Sequence, residues 1–140
     1  MSSSDYVLVI EDDGDLREML VDILSEEGHS SCTASNGEEA LAFLRTAAPP
    51  CLMLLDQKMP VMDGEELMKA LRTIPSLARV PICVFTADKR FVPEGAAAVI
   101  VKPIDVVALL RVVDHHCREH ITWANPTSHR APTQRASTTK

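Results

Sequence analysis

Five short apolar runs, separated by stretches whose apolar residues recur at every third or fourth position, constrain this chain more than any other feature. Runs of strand length alternating with segments of helical period mark repeated β/α units, and hence a parallel sheet. The first run, Tyr6 to Ile10, is followed by a helical pattern carrying Leu16, Met19, Leu20, Ile23 and Leu24, with Gly28 as its stop. Ser30 to Ala34 is a weaker strand with Cys32 and Ala34 on one face. Ser35-Asn36-Gly37-Glu38-Glu39 then supplies a cap and early acids for a second helix, to about Thr46.

Cys51 to Leu55 is apolar at every position, as a strand buried on both faces requires. Asp63-Gly64-Glu65-Glu66 opens a third helix with Leu67, Met68, Leu71 and Ile74 facing inward. Ile82 to Phe85 and Val99 to Val101 are the last two strands. After Pro103 a helix with Val106, Leu109, Leu110 and Val113 is expected to end near Glu119. With right-handed crossovers, this order predicts an α/β fold, an open doubly wound five-stranded parallel sheet with helices on both faces.

Length and composition fit one domain: 140 residues, 46% apolar and 24% charged. Residues 121–140, rich in Thr, Ser, Pro and Arg without apolar period, read as a flexible polar and basic tail to a domain over 1–120. No apolar run approaches the ~18 residues of a membrane span, and the N-terminus lacks a signal-peptide pattern, so a cytoplasmic chain is expected. Met1 and the polar tail lead us to expect a complete protein. The net charge is −6 although the last twenty residues hold three cations and no acid, and so acidic a body disfavours nucleic acid. Cys32, Cys51, Cys83 and Cys117 form no Cys-x-x-Cys pair and read as small buried apolar residues.

In doubly wound sheets ligands bind at the carboxyl ends of the strands. Strand one ends in Glu11-Asp12-Asp13, strand three in Asp56, strand four in Thr86 and strand five in Lys102-Pro103. Carboxylates forced into one crevice repel, and a hard divalent cation with oxygen ligands relieves them; magnesium is the obvious candidate. Beside an ammonium and a hydroxyl, such a cluster suits a transferring phosphoryl group, with Asp56 as nucleophile.

These residues resemble the receiver domains of two-component response regulators over about residues 5–120. The matching motifs are Val-Ile-Glu11-Asp12-Asp13, Leu-Leu-Asp56-Gln57-Lys58-Met59-Pro60-Val-Met-Asp63-Gly64, Val-Phe-Thr86-Ala87 and Val-Lys102-Pro103. The resemblance implies a flavodoxin-like strand order 2-1-3-4-5 and a phosphoryl group passed to Asp56 from a phosphohistidine of a histidine kinase or phosphotransfer protein. It implies magnesium held by Asp12, Asp56 and the Lys58 backbone carbonyl, with Glu11 acting through water. Thr86 and the Ala87 amide would bond the phosphoryl oxygens, Lys102 would pair with them, and Lys102–Pro103 would be cis. The chain would be a signalling phosphoacceptor rather than an enzyme, acting on an unidentified downstream protein.

Two departures from the family pattern stand out. The segment between Thr86 and Lys102 is short and holds Pro93, so the family's fourth helix is expected to be nearly deleted. Val99 replaces the usual switch aromatic; Phe91 and Phe85 are the candidates to substitute in packing, although Phe85 reads more simply as a core strand residue. The shortened face predicts a monomer or weak dimer. An ion pair between Lys58 and Asp88 would shield an acyl phosphate; two solvated charges are the plain alternative. His116 and His120 at i and i+4 offer a transition-metal pair, against helix-end histidines complementing the dipole. Trp123 is placed where the tail leaves the helix. The competing functional readings are a receiver-like interaction module independent of phosphorylation, the receiver domain of a hybrid kinase, and an aspartate-nucleophile phosphatase. Lys58, two residues after Asp56, removes the acid/base of the last.

Overall fold

Apolar patterning here is resolved into two cores, one on each side of a single sheet. The computed structural model describes residues 5–117 except 60, 91 and 92. Its elements are β1 (Tyr6–Ile10), α1 (Gly14–Glu26), β2 (Ser30–Ala34), α2 (Gly37–Thr46), β3 (Leu52–Asp56), α3 (Gly64–Arg72), β4 (Ile82–Thr86), β5 (Ala98–Val101) and α4 (Val106–Cys117). The strands are all parallel in the order β2-β1-β3-β4-β5.

Alternate residues of each strand point to opposite faces, so one sheet feeds both cores. Leu8, Ile10, Met53, Leu55 and Val84 pack with Ala40 and Leu44 of α2 and Leu67, Met68 and Leu71 of α3. Val7, Val9, Leu52, Leu54, Phe85 and Ile100 pack with Leu20 and Leu24 of α1 and Leu109 and Val113 of α4. The periodicity in α1 is off by one place: Val21 is buried and Met19 exposed. Gly28, at φ +87°, turns the chain from α1 into β2, as its position after the helix suggested. Ile74 lies beyond the end of α3.

The helix between β4 and β5 is not merely short. Among the described residues the chain from Ala87 to Ala97 forms turns, with Gly95 at φ +88°. Pro93 offers no N–H to a helical ladder, and so short a crossover leaves no room for several turns. The consequence is seen on β5, where Val99 and Val101, on the α2/α3 side, are 37% and 39% exposed.

The cysteines overturn one expectation. Cys51 and Cys117 form a disulfide that ties the residue before β3 to the end of α4, across a sequence separation of 66. Cys83 is a buried free thiol, as expected, and burial pushes its pKa up to about 12. Glu119, His120, Trp123, Phe91 and the tail over 121–140 lie outside the described residues. No described helix is long and apolar enough to cross a membrane.

Candidate functional site

Parallel register brings the carboxyl ends of β1, β3, β4 and β5 to one edge, and the polar residue that ends each apolar run is carried there with it. Glu11 follows β1 and is held by its N–H to the Ala34 carbonyl at 3.0 Å. Asp13 caps α1, accepting from the N–H groups of Asp15 at 3.0 Å and Leu16 at 3.3 Å, so it is occupied as a cap and leaves Asp12 to the site. Asp56, the last residue of β3, is 4% exposed. One carboxylate oxygen each from Glu11, Asp12 and Asp56 lie within 4.8 Å of one another.

Lys102 reaches this cluster from the end of β5, with Nζ 3.0 Å from Asp56 Oδ1. Burial lowers the affinity of that ammonium for its proton, but the hydrogen bond and charge of Asp56, then Glu11 and Asp12, outweigh it and leave the pKa above its ordinary value. One cation facing three acids leaves a deficit, and Glu11 carries it. Its Oε2 accepts the Asp13 N–H at 3.1 Å, while its buried Oε1 has no hydrogen-bond partner. Burial, opposed by that N–H and by Lys102 and assisted by Asp56 and Asp12, pushes the Glu11 carboxyl up to about 7. An orphaned carboxylate oxygen among three hard oxygen donors fits a divalent cation such as magnesium.

Beside the cluster lies a cavity of about 310 Å³ lined by Asp56, Gln57, Lys58, Thr86, Ala87, Asp88 and Lys102. Every site residue expected from the sequence is therefore gathered around one cluster and one cavity. The loop after β3 is drawn in tightly: Gly64 donates to the Gln57 carbonyl at 3.0 Å, and a Cβ there would meet the Asp56 carbonyl at 2.9 Å. The Lys102–Pro103 bond is cis.

One of the alternatives offered by the sequence is set aside. Asp88 does not pair with Lys58; its carboxylate lies 3.6 Å from Arg90 Nε, a neighbour two residues on in the same turn. His115 and His116 stand in the last turn of α4, their rings 4.7 Å apart, and His120, the other half of the metal pair considered, lies outside the described residues. Two residues were missed. Arg17 donates to the Glu11 carbonyl at 2.7 Å, and Gln57 accepts the Thr86 hydroxyl proton at 2.5 Å. The signal for Gln57 was its place directly after Asp56, but its partner depends on β3 lying beside β4.

A cavity roomy enough for a phosphoryl group beside an acidic triad and a lysine, at the carboxyl edge of a 2-1-3-4-5 sheet, is the arrangement of the response regulator receiver domain. The model of that family matches residues 7–114, and the chain belongs to it. It is 32% identical over 107 residues to sporulation initiation phosphotransferase F of Bacillus subtilis, covering 74% of this chain and 86% of that one. It is 38% identical over 107 residues to a response regulator receiver protein of an Anaeromyxobacter species, covering 74% of this chain but only 44% of that protein. Among solved structures, the receiver domain of a signal transduction histidine kinase from Syntrophus aciditrophicus superposes with TM-score 0.74 at 31% identity, over 83% of this chain and 92% of that one. Receiver domains are signalling phosphoacceptors that bind magnesium in an acidic pocket and interact with histidine kinases or phosphotransfer proteins.

Proposed function

We propose that this chain accepts a phosphoryl group on Asp56 from a phosphohistidine of a histidine kinase or phosphotransfer protein, and signals through protein contacts. The observation that carries the reading is the Lys102–Asp56 contact of 3.0 Å within a triad of carboxylates whose buried Glu11 Oε1 lacks a partner. A carboxylate oxygen of Asp56 forms the new P–O bond as the P–N bond breaks, and the donor imidazole leaves with the electron pair and regains a proton. Lys102, displaced from Asp56 when that oxygen is esterified, pairs with the phosphoryl oxygens. Thr86 and the Ala87 amide, both at the cavity wall, donate to the same oxygens.

Asp12, Asp56 and the Lys58 carbonyl would hold magnesium, with Glu11 acting through water; the ion supplies charge neutralisation for the incoming phosphoryl group. We further propose the receiver over residues 1–120, a monomer or weak dimer, and a cytoplasmic location. In a reducing cytoplasm Cys51 and Cys117 would stand as a dithiol. The 120/121 boundary rests on the change of composition alone.

Intact-mass spectrometry after incubation with magnesium and acetyl phosphate tests the reading. A single phosphoryl adduct is expected, lost in Asp56→Asn and without magnesium. No adduct from acetyl phosphate or from a phosphohistidine donor would point instead to an interaction module independent of phosphorylation.

A further inference from the structure

The Thr86 hydroxyl has one proton to give, and in this structure it gives it to Gln57. Thr86 Oγ1 lies 2.5 Å from Gln57 Oε1 and accepts the Asp88 N–H at 3.0 Å. Gln57 Oε1 carries no hydrogen, so the proton in this bond is the Thr86 hydroxyl's; the Asp88 carbonyl, at 3.5 Å, is the other and more distant acceptor within its reach. The Gln57 main chain is itself immobilised: its N–H donates to the Phe85 carbonyl at 2.9 Å and its carbonyl accepts from Gly64 at 3.0 Å. What can change is the side-chain contact alone. Thr86 is 1% exposed at the end of β4 and lines the cavity beside Asp56, so a group seated in that cavity is the acceptor that would take the place of Gln57.

We propose that Gln57 is a positioning residue: it holds the Thr86 hydroxyl in a resting orientation and competes with a phosphoryl group on Asp56 for the single proton. The inference rests on the phosphoacceptor reading of the site and adds the contact that must break for Thr86 to serve it. Val99 stands where the family carries its switch aromatic, and no helix lies between β4 and β5 among the described residues. The exchange of Thr86 between Gln57 and phosphoryl oxygen is thus the two-state contact at this site. It sets an energetic threshold: each phosphorylation must outbid one hydrogen bond.

Beryllium fluoride, an unreactive stand-in for the phosphoryl group, tests this when titrated into the full chain in saturating magnesium and followed by fluorine NMR. Gln57→Met keeps the side-chain length and removes the acceptor; it should tighten binding about two- to tenfold, the span of one net hydrogen bond. Gln57→Leu serves as a second variant with the same expectation. Gln57→Glu, a stronger acceptor carrying a charge, should weaken binding by at least as much. In a Thr86→Val background the gain from Gln57→Met should vanish, a readout that a merely structural role for Gln57 would not move. Unchanged or weaker binding by both Gln57→Met and Gln57→Leu, or a gain that persists without the hydroxyl, overturns the proposal. If wild type still forms an adduct lost in Asp56→Asn, the phosphoacceptor reading survives that failure. If wild type forms no adduct and binds no beryllium fluoride, both fall together.

Discussion

At the carboxyl ends of the strands, Glu11, Asp12 and Asp56 crowd against one ammonium, Lys102, 3.0 Å from Asp56. At the amino ends, Cys51 is bonded to Cys117 and the buried imidazole of His29 lies 3.1 Å from Asp114. One edge concentrates like charge that a bound cation would relieve. The other joins α4 to the strands through two links on one helical face, at Asp114 and, three residues on, Cys117. In the disulfide-bonded form, an edge whose stability would depend on a bound cation is set against an edge where two links hold the last helix.

The largest way to break that comparison is to cut the disulfide. A cross-link closing a loop of this length stabilises by about 2–4 kcal/mol through the unfolded chain, so Cys51→Ala with Cys117→Ala should lower the unfolding free energy extrapolated from a urea melt by that amount. Alkylation of the unreduced, denatured chain should label Cys32 and Cys83 and spare the other two, in line with their pairing. Labelling of all four, or a double variant as stable as wild type, would remove the anchor from the amino edge.

The two edges also differ in how far they could be read from sequence. Glu11, Asp56, Thr86 and Lys102 each sit at or directly after an apolar run, so strand periodicity and the rule for parallel sheets place them together without any tertiary information. The amino-edge links join residues 66 and 85 apart, and nothing local to Cys51 or His29 names a partner. Gln57 lies between these cases. Its position was visible, but its bond to Thr86, 29 residues on, exists only because β3 and β4 are neighbours. The segment between β4 and β5 was legible as a deletion because Pro93 and its shortness both oppose a helix; that Val99 and Val101 would be left uncovered required the sheet.

Charge at the carboxyl edge gives the next largest effect. The Glu11 carboxyl is raised from 4.5 to about 7, so between those values the folded state binds more protons than the unfolded one. Stability without magnesium should therefore fall as pH rises through this window, by on the order of 2 kcal/mol. Glu11→Gln should flatten that part of the profile and be the more stable protein at pH 8 in chelator. Millimolar magnesium should restore wild type at pH 8, since an ion bound only by the folded state stabilises it by mass action. Asp12→Ala should lose most of that response. Parallel pH profiles for wild type and Glu11→Gln, or a melt indifferent to magnesium, would mean that the acidic edge carries no deficit.

The smallest effect sharpens the comparison at the amino edge. Asp114 is itself well exposed, yet its carboxylate meets an imidazole that is buried beneath the start of β2. Asp114→Ala removes one hydrogen bond to that ring and should cost about 1 kcal/mol. The cost should depend on the disulfide, because the two links hold the same end of α4 one turn apart. With Cys51–Cys117 intact the helix end stays seated and the loss is confined to the bond. With both cysteines replaced, Asp114 holds that end without the cross-link, and its removal also frees the last turn of α4. A double-mutant cycle in urea should therefore show a coupling of about 0.5 kcal/mol or more, as for residues that share one structural element. Strict additivity would make the two links independent supports rather than one anchor.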